Sequence, residues 1–597
     1  MKSSFRHPLA TGLVALALMP VLPAAAQLTL PDIFTFVPPP EQPVYARDRL
    51  AKAKADECFA GIGVDYPPLD PDGTCNSGQP KVNLAYVWGL TQAGVGDTGF
   101  AGDEIWFGTI ANPLCEGAAG VAEPEPYLRT AWVCEFGQSM LSRYGRLPPP
   151  AGDWRLPRIY SYKVATRQLT DRTPVGDRAL GFVTGFRSAG SVGNAVFVAG
   201  PNMASQVVFA AFDASTGAFK GSCRALTLRN IRSWITVNGV LYAGVGLKGG
   251  GGAVLRWRGT IDDPFAGAAS PSDTCGFEVA GTLPDMPAYL ADYGGTRMAA
   301  SVWADTHRES SGSNAALAGN PYTSGLYLGP LYGDDGGYTN ADAATAWQRL
   351  WRTLDYERDP IVAATAGGGA LAYWKGWLWF GTMHNTGGTI AAHTRCTLPK
   401  CFGPPQNDDE ALTLLLNVSR AASIWRARRG DDGRPQVELL YGETQLPALV
   451  PGTRTFAMQP TGWVPRYGRS GMNNPFLTYT WSASASADDL LFGFYDYRYV
   501  FDANFGIIPA PTGRAPSSEP DPKRGYGADI WRFPDPELPA VPEATAGLTN
   551  FSNYGVRNML RLDGGTDVIL GIANSLNLEP QGGWELIRLT PPGAPGR

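Results

Sequence analysis

Residues 371–385 read LAYWKGWLWFGTMHN. Lys375 and Gly376 stand between two apolar runs, and the second run ends Gly-Thr shortly before His384 and Asn385. Two strand-forming runs joined by a two-residue turn containing glycine are the sequence form of a β-hairpin. The same grammar returns along the chain. Residues 84–112 read LAYVWGLTQAGVGDTGFAGDEIWFGTIAN, residues 232–246 RSWITVNGVLYAGVG, residues 477–496 LTYTWSASASADDLLFGFYD and residues 557–574 RNMLRLDGGTDVILGIAN. Each has an apolar strand, a turn of Gly, Asp, Asn or Lys, and a second strand that ends close to a glycine.

A third strand follows several of these hairpins: GGAVLRWRG at 251–259, AASIWRARRG at 421–430, GADIWRFPD at 527–535 and GGWELIRLT at 582–590. Small residues open it, which lets it pack close to its neighbour, and an aromatic or aliphatic residue near an arginine fills the space between sheets. The pattern makes Trp425, Trp531 and Trp584 equivalent, and period-2 alternation sends Trp379 to the opposite face from Leu378 and Phe380. A repeated strand–turn–strand–loop–strand unit resembles the blade of the seven-bladed β-propeller class. First hairpins near residues 84, 190, 232, 297, 370, 477 and 557 give the count of seven. The resemblance spans 83–590, lacks the WD and double-glycine signatures of the best-known repeats, and implies an all-β fold, a single propeller with long loop insertions. The domain reading is a leader at 1–26, an N-terminal segment at 27–82 that clasps or caps the propeller, and the propeller with its insertions at 83–597. The insertions fall at 114–157, 305–323, 331–360, 386–413 and 499–528. Short helices are expected within 40–59 and 341–354.

The leader follows from Lys2 and Arg6, an apolar run from Leu9 to about Leu22, and the ending PAAAQ, which places the cut after Ala26. Export, to the periplasm or beyond the cell, fits the eight cysteines, all of which follow the leader. Proximity pairs Cys58 with Cys75, Cys115 with Cys134 and Cys396 with Cys401, leaving Cys223 with Cys275. No later run is long enough to span a membrane. With 49 basic against 54 acidic residues the chain is acidic, so a nucleic-acid surface is not expected. The partner expected is an extracellular polysaccharide or a cell-surface component, met by a monomer.

The candidate chemistry lies at strand ends. Arg232, Arg297 and Arg557 stand at strand entries, where guanidinium forks suit carboxylate, sulfate or phosphate. Asn385 and Asn574 stand at strand exits and suit hydroxyls. His384 and Asp496 occupy similar exits and are the candidate acid–base pair. The mature histidines are only His307, His384 and His393, with no metal-ligand spacing. No cofactor is indicated except a structural calcium ion, for which DYPPLDPDGTC at 65–75, DDGGYTNAD at 334–342 and PQNDDEA at 405–411 have the composition without the EF-hand register. Two readings follow: a secreted lyase or glycoside hydrolase acting on an acidic glycan in the propeller funnel, or a non-catalytic propeller binding glycan or protein outside the cell.

Overall fold

The computed structural model describes residues 37–593 except 65, 95–103, 114, 116–126, 129–131, 136–137, 139–153, 267–270, 304–322, 334–336, 339–346, 396–398, 497, 499–525 and 564. The leader and His307 therefore lie outside the described residues.

The 371–385 stretch is a hairpin. Ala366–Trp374 pairs antiparallel with Trp377–His384, and the turn residues Lys375 and Gly376 have φ of 45° and 84°. Two positive φ values in a two-residue loop match the right-handed twist of the flanking strands, which is why glycine follows lysine here. Leu378 and Phe380 enter one apolar cluster with Leu371 and Trp425. Trp379 enters another with Trp374, Phe492 and Phe533, as the alternation requires.

The same element recurs. Antiparallel meanders of four strands occupy 84–171, 188–225, 228–283, 286–352, 366–441 and 477–544. A seventh, at 555–590, has three strands of its own, and its fourth is the N-terminal strand Ala46–Lys52, paired with Glu585–Thr590. The first strands are Leu84–Gln92, Ser188–Val192, Leu228–Val237, Met286–Tyr293, Ala366–Trp374, Leu477–Ala485 and Gly555–Arg561. Each packs beside the next, and the last packs beside the first.

A glycine on the second strand marks the repeat. Gly108, Gly200, Gly244, Gly381, Gly493 and Gly571 face Ile159, Val208, Val254, Ile424, Ile530 and Leu586 of the third strands. A Cβ on Gly381 would fall 2.3 Å from Thr480, and one on Gly571 would fall 2.6 Å from Val87, each on the following first strand. Only a residue without a side chain permits that approach. In this register Trp425 and Trp531 are equivalent, each next to the branched residue opposite the glycine. Trp584 is not their equivalent. Ile587 takes that place, and Trp584 sits three residues earlier, packed on Phe107 and Tyr160.

The expected single propeller of seven separate blades needs correction. Bridges Trp303–Gly367, Met383–Tyr479, Tyr495–Gly555 and Ala573–Tyr86 carry hydrogen bonding across meander borders. They join five meanders into one 20-stranded network, while 188–225 and 228–283 remain separate four-stranded sheets. Among the described residues no hydrogen-bonded sheet closes on itself, so the units are neither discrete blades nor parts of a barrel.

Both expected helices are also corrected. Residues 46–52 form the strand on Glu585–Thr590, and Gln348–Arg352 forms the fourth strand of its meander; 341–346 lie outside the described residues. In each case an unpaired sheet edge supplies hydrogen bonds that override local helical pattern. Helices do occur at Pro360–Thr365, Thr386–Arg395 and Asp408–Val418, partly within a stretch read as loop, and they bury Val362, Ile390, Leu414 and Val418 together. No helix among the described residues is long and apolar enough to cross a membrane. Disulfides Cys58–Cys75, Cys115–Cys134 and Cys223–Cys275 are present as expected. Cys401 is disulfide-bonded, and its expected partner Cys396 lies outside the described residues.

Candidate functional site

The first strands are not regular. In six of them the ladder slips one or two residues, leaving a bulge opposite or next to the second-strand position that carries the recurrent glycine. The slipped residues are Trp88, Arg232, Ala288, Gly369 with Ala370, Trp481 and Arg557. A bulge re-aims a side chain out of the alternating pattern. Here Trp88, Arg232, Trp481 and Arg557 leave the sheet faces and join a common cluster.

Residues far apart in the chain meet there. The Arg232 Nη2 donates to the Tyr289 hydroxyl at 3.2 Å and lies 3.2 Å from the Met383 sulfur. Its guanidinium covers Trp303 at 4.4 Å and Tyr289 at 5.3 Å. The Tyr289 hydroxyl donates to the Trp481 carbonyl at 2.7 Å. The Arg557 guanidinium lies 5.7 Å from the Trp481 ring, and the Tyr289 hydroxyl also supports its charge. Arg187 donates to Asn230 and lies over Trp88 at 5.3 Å. Tyr86, Tyr495, Tyr554 and Trp481 pack edge to face behind these groups.

The electrostatics of the cluster are lopsided. Arg232 and Arg557 are 7% and 4% exposed. Among the described residues neither forms a salt bridge with a carboxylate, and the Arg232 Nε has no hydrogen-bond partner. Burial, with Arg232 as a second cause, pulls Arg557 down to about 10, so it remains protonated at neutral pH. Face contacts with Trp and Tyr rings contribute about 0.5–2 kcal/mol each, which offsets only part of the cost of burying a charge.

The expected funnel enzyme is corrected on two grounds. Met383, Tyr86, Trp481, Tyr495 and Tyr554 are buried in this cluster, and Trp88, Tyr289, Trp303 and Tyr479 pack against it with partial exposure, so among the described residues its base is filled by side chains and is not an open funnel. Among the described residues no three His, Cys, Asp or Glu side chains gather as they would to hold a metal ion. Among the described residues neither a glycan-degrading centre nor a glycan-binding funnel is found. In the 65–75 segment, Asp72 accepts from Thr74 and Asp70 from Asn76.

The sequence-derived candidates separate. Arg232 and Arg557 come together. Arg297 does not join them: it begins a second strand, at the turn end, and donates to the Gly329 carbonyl at 3.0 Å. His384, Asp496 and Asn574 each stand three residues beyond a repeat glycine, at equivalent places in three successive meanders. The His384 Nε2 is 3.0 Å from the Thr382 hydroxyl, and burial followed by the charge of Arg420 pushes the imidazole down to about 3, so it is neutral. Asp496 accepts from Asn474 at 2.9 Å and from the Arg498 amide at 2.7 Å. Burial raises its carboxyl, and raises that of neighbouring Asp529 well above the ordinary value, with Asp496 itself as the second cause there. Asn574 donates to Ser552, Asn553 and the Gln581 carbonyl. The Asn385 side chain accepts from the Gly388 amide, next to the Thr386–Arg395 helix.

Arg187, Tyr289, Trp303 and Trp481 were not singled out from the sequence. A bulge changes register without changing residue type, so strand pattern alone gave no signal for Trp481. Comparison with protein-family models and with curated proteins found no match to this chain.

Proposed function

We propose that this is an exported binding protein whose ligand carries an anionic group, received by Arg232 and Arg557. One observation carries the reading: two adjacent buried guanidinium groups without a carboxylate partner among the described residues. Buried cations ordinarily have counter-charges, because an unpaired one costs several kcal/mol. An anionic ligand supplies the missing charge, and the bulges that aim both arginines inward hold the donors in place before it arrives. Trp88, Tyr289, Trp303 and Tyr479 retain partial exposure and offer flat surfaces for the body of the ligand. Export is supported by the leader pattern and by the disulfides.

Titration calorimetry with a panel of small anions, including benzoate, a uronic acid, phosphate and sulfate, tests the reading. The uronic acid represents the acidic groups of extracellular polymers. At least one member is expected to bind, and Arg557→Gln to weaken that binding tenfold or more. A panel without a binder overturns the proposal.

A further inference from the structure

The arrangement of charge at this site says more than that the ligand is anionic. Tyr289 is the hub. Its hydroxyl donates to the Trp481 carbonyl, accepts from Arg232 Nη2, and also supports the charge on Arg557. A phenolic oxygen has one proton to give and two lone pairs to receive. Arg232 bonds the Tyr289 hydroxyl, that hydroxyl bonds the Trp481 carbonyl, and Arg557 lies over the Trp481 ring, so both guanidinium groups border the same pair of residues. Arg232 is fixed there by its stack on Trp303 and its contact with Met383. Arg557 lies against Trp481. Both depart from the ladder at bulges of their own strands, so the meeting of two like charges is imposed by the backbone and not by chance of rotamer.

Neutral partners satisfy some donors but remove no charge. A single negative charge placed between two buried cations leaves one of them uncompensated. Two negative charges match these two cations, while the third guanidinium of the cluster, Arg187, lies over Trp88 and Trp303 and donates to Asn230. Guanidinium forks are also matched to oxyanions with several acceptor atoms. We infer that the group received between Arg232 and Arg557 is a dianion, of the phosphate-monoester kind, and that the ligand is selected by charge as well as by shape. The inference rests on the anion-binding reading above and narrows it.

The test uses two probes of one shape on the intact, disulfide-bonded protein. Phenyl phosphate is a dianion at pH 8, and phenyl sulfate is a monoanion at every pH used. Calorimetry at pH 8 is expected to give at least tenfold tighter binding of phenyl phosphate. At pH 5, below the second phosphate ionisation near about 6, its advantage is expected to vanish while phenyl sulfate binding stays constant. Arg232→Gln is expected to cut phenyl phosphate affinity tenfold or more and phenyl sulfate affinity less than threefold. Equal binding of the two probes at pH 8 overturns the dianion inference and leaves the anion-binding reading standing. Failure of both probes, together with the whole panel above, removes both. The wild-type comparison stands without the variant should Arg232→Gln not fold.

Discussion

At the scale of single residues, Arg557 has opposite consequences for folding and for binding. A buried cation without a counter-ion is a cost to the ligand-free protein. Replacing it with an apolar side chain of similar length, Arg557→Met, is therefore expected to raise the melting temperature of the free protein, by the equivalent of roughly 1–3 kcal/mol, while anion binding is lost. A lowered melting temperature would instead assign the arginine to the fold. Asp496 and Asp529 present the converse sign. Both carboxyls are raised by burial. A carboxyl that holds its proton more tightly when folded favours the folded state at low pH, and that stability is lost as pH rises from the ordinary aspartate value of 3.8 through the folded one. Asp529→Asn removes one titrating group. Melting temperatures across pH 4–8 should then fall less steeply toward high pH for the variant than for wild type; parallel curves would show that the pair does not titrate as described.

At the scale of elements, the glycines divide into two physical classes. Gly381 exists for packing, since a Cβ there meets Thr480 at 2.3 Å. Gly376 exists for backbone, with φ of 84° and nothing within 4 Å of a built Cβ. Gly381→Ala is expected to cost about 1–3 kcal/mol or more through overpacking between strands, and Gly376→Ala about 1 kcal/mol through the turn alone. Thermal melts of the two variants check the order; a larger loss at Gly376 would contradict the close approach of the meanders. Hairpins and third strands were legible because their period and turn chemistry are local. Trp584 was misplaced because its WELIRL string imitates the IWR of other third strands, while register is set by the strand it faces. The bulges were illegible for the same reason: one slipped residue leaves the apolar string unchanged.

At the scale of the whole molecule, the two ends of the chain hold each other. Ala46–Lys52 covers the edge of Glu585–Thr590, the Val44 and Tyr45 amides donate to buried Glu543, and the Tyr45 hydroxyl donates to Asp489 at 2.8 Å. Removing residues 27–52 uncovers a full strand edge and leaves Glu543 without those donors. Loss of several degrees in melting temperature and association through the free edge are expected, read by scanning calorimetry and light scattering; an unchanged monomer of equal stability would refute it. Intact mass before and after reduction should rise by eight hydrogens, one for each cysteine. A smaller gain would show that a thiol is left free.

The sequence by itself determined the predominance of β-strand, the recurring hairpin with its third strand, the disulfide partners that the structure describes, and the presence of arginine where strands begin. Those properties depend mostly on neighbours along the chain: turn dihedrals, alternation, and cysteines close in number, with Cys223 and Cys275 as the pair left over. Only the tertiary structure decided how hydrogen bonds cross from one meander to the next, that the strand completing the last meander comes from residue 46 onward, and which arginines meet. Arg232 and Arg297 look alike in sequence, each leading an apolar strand. Arg232 is slipped by a bulge into the company of Tyr289, Trp303 and Arg557, and Arg297 caps a turn on the Gly329 carbonyl. That difference comes from pairing between strands, which no single segment encodes.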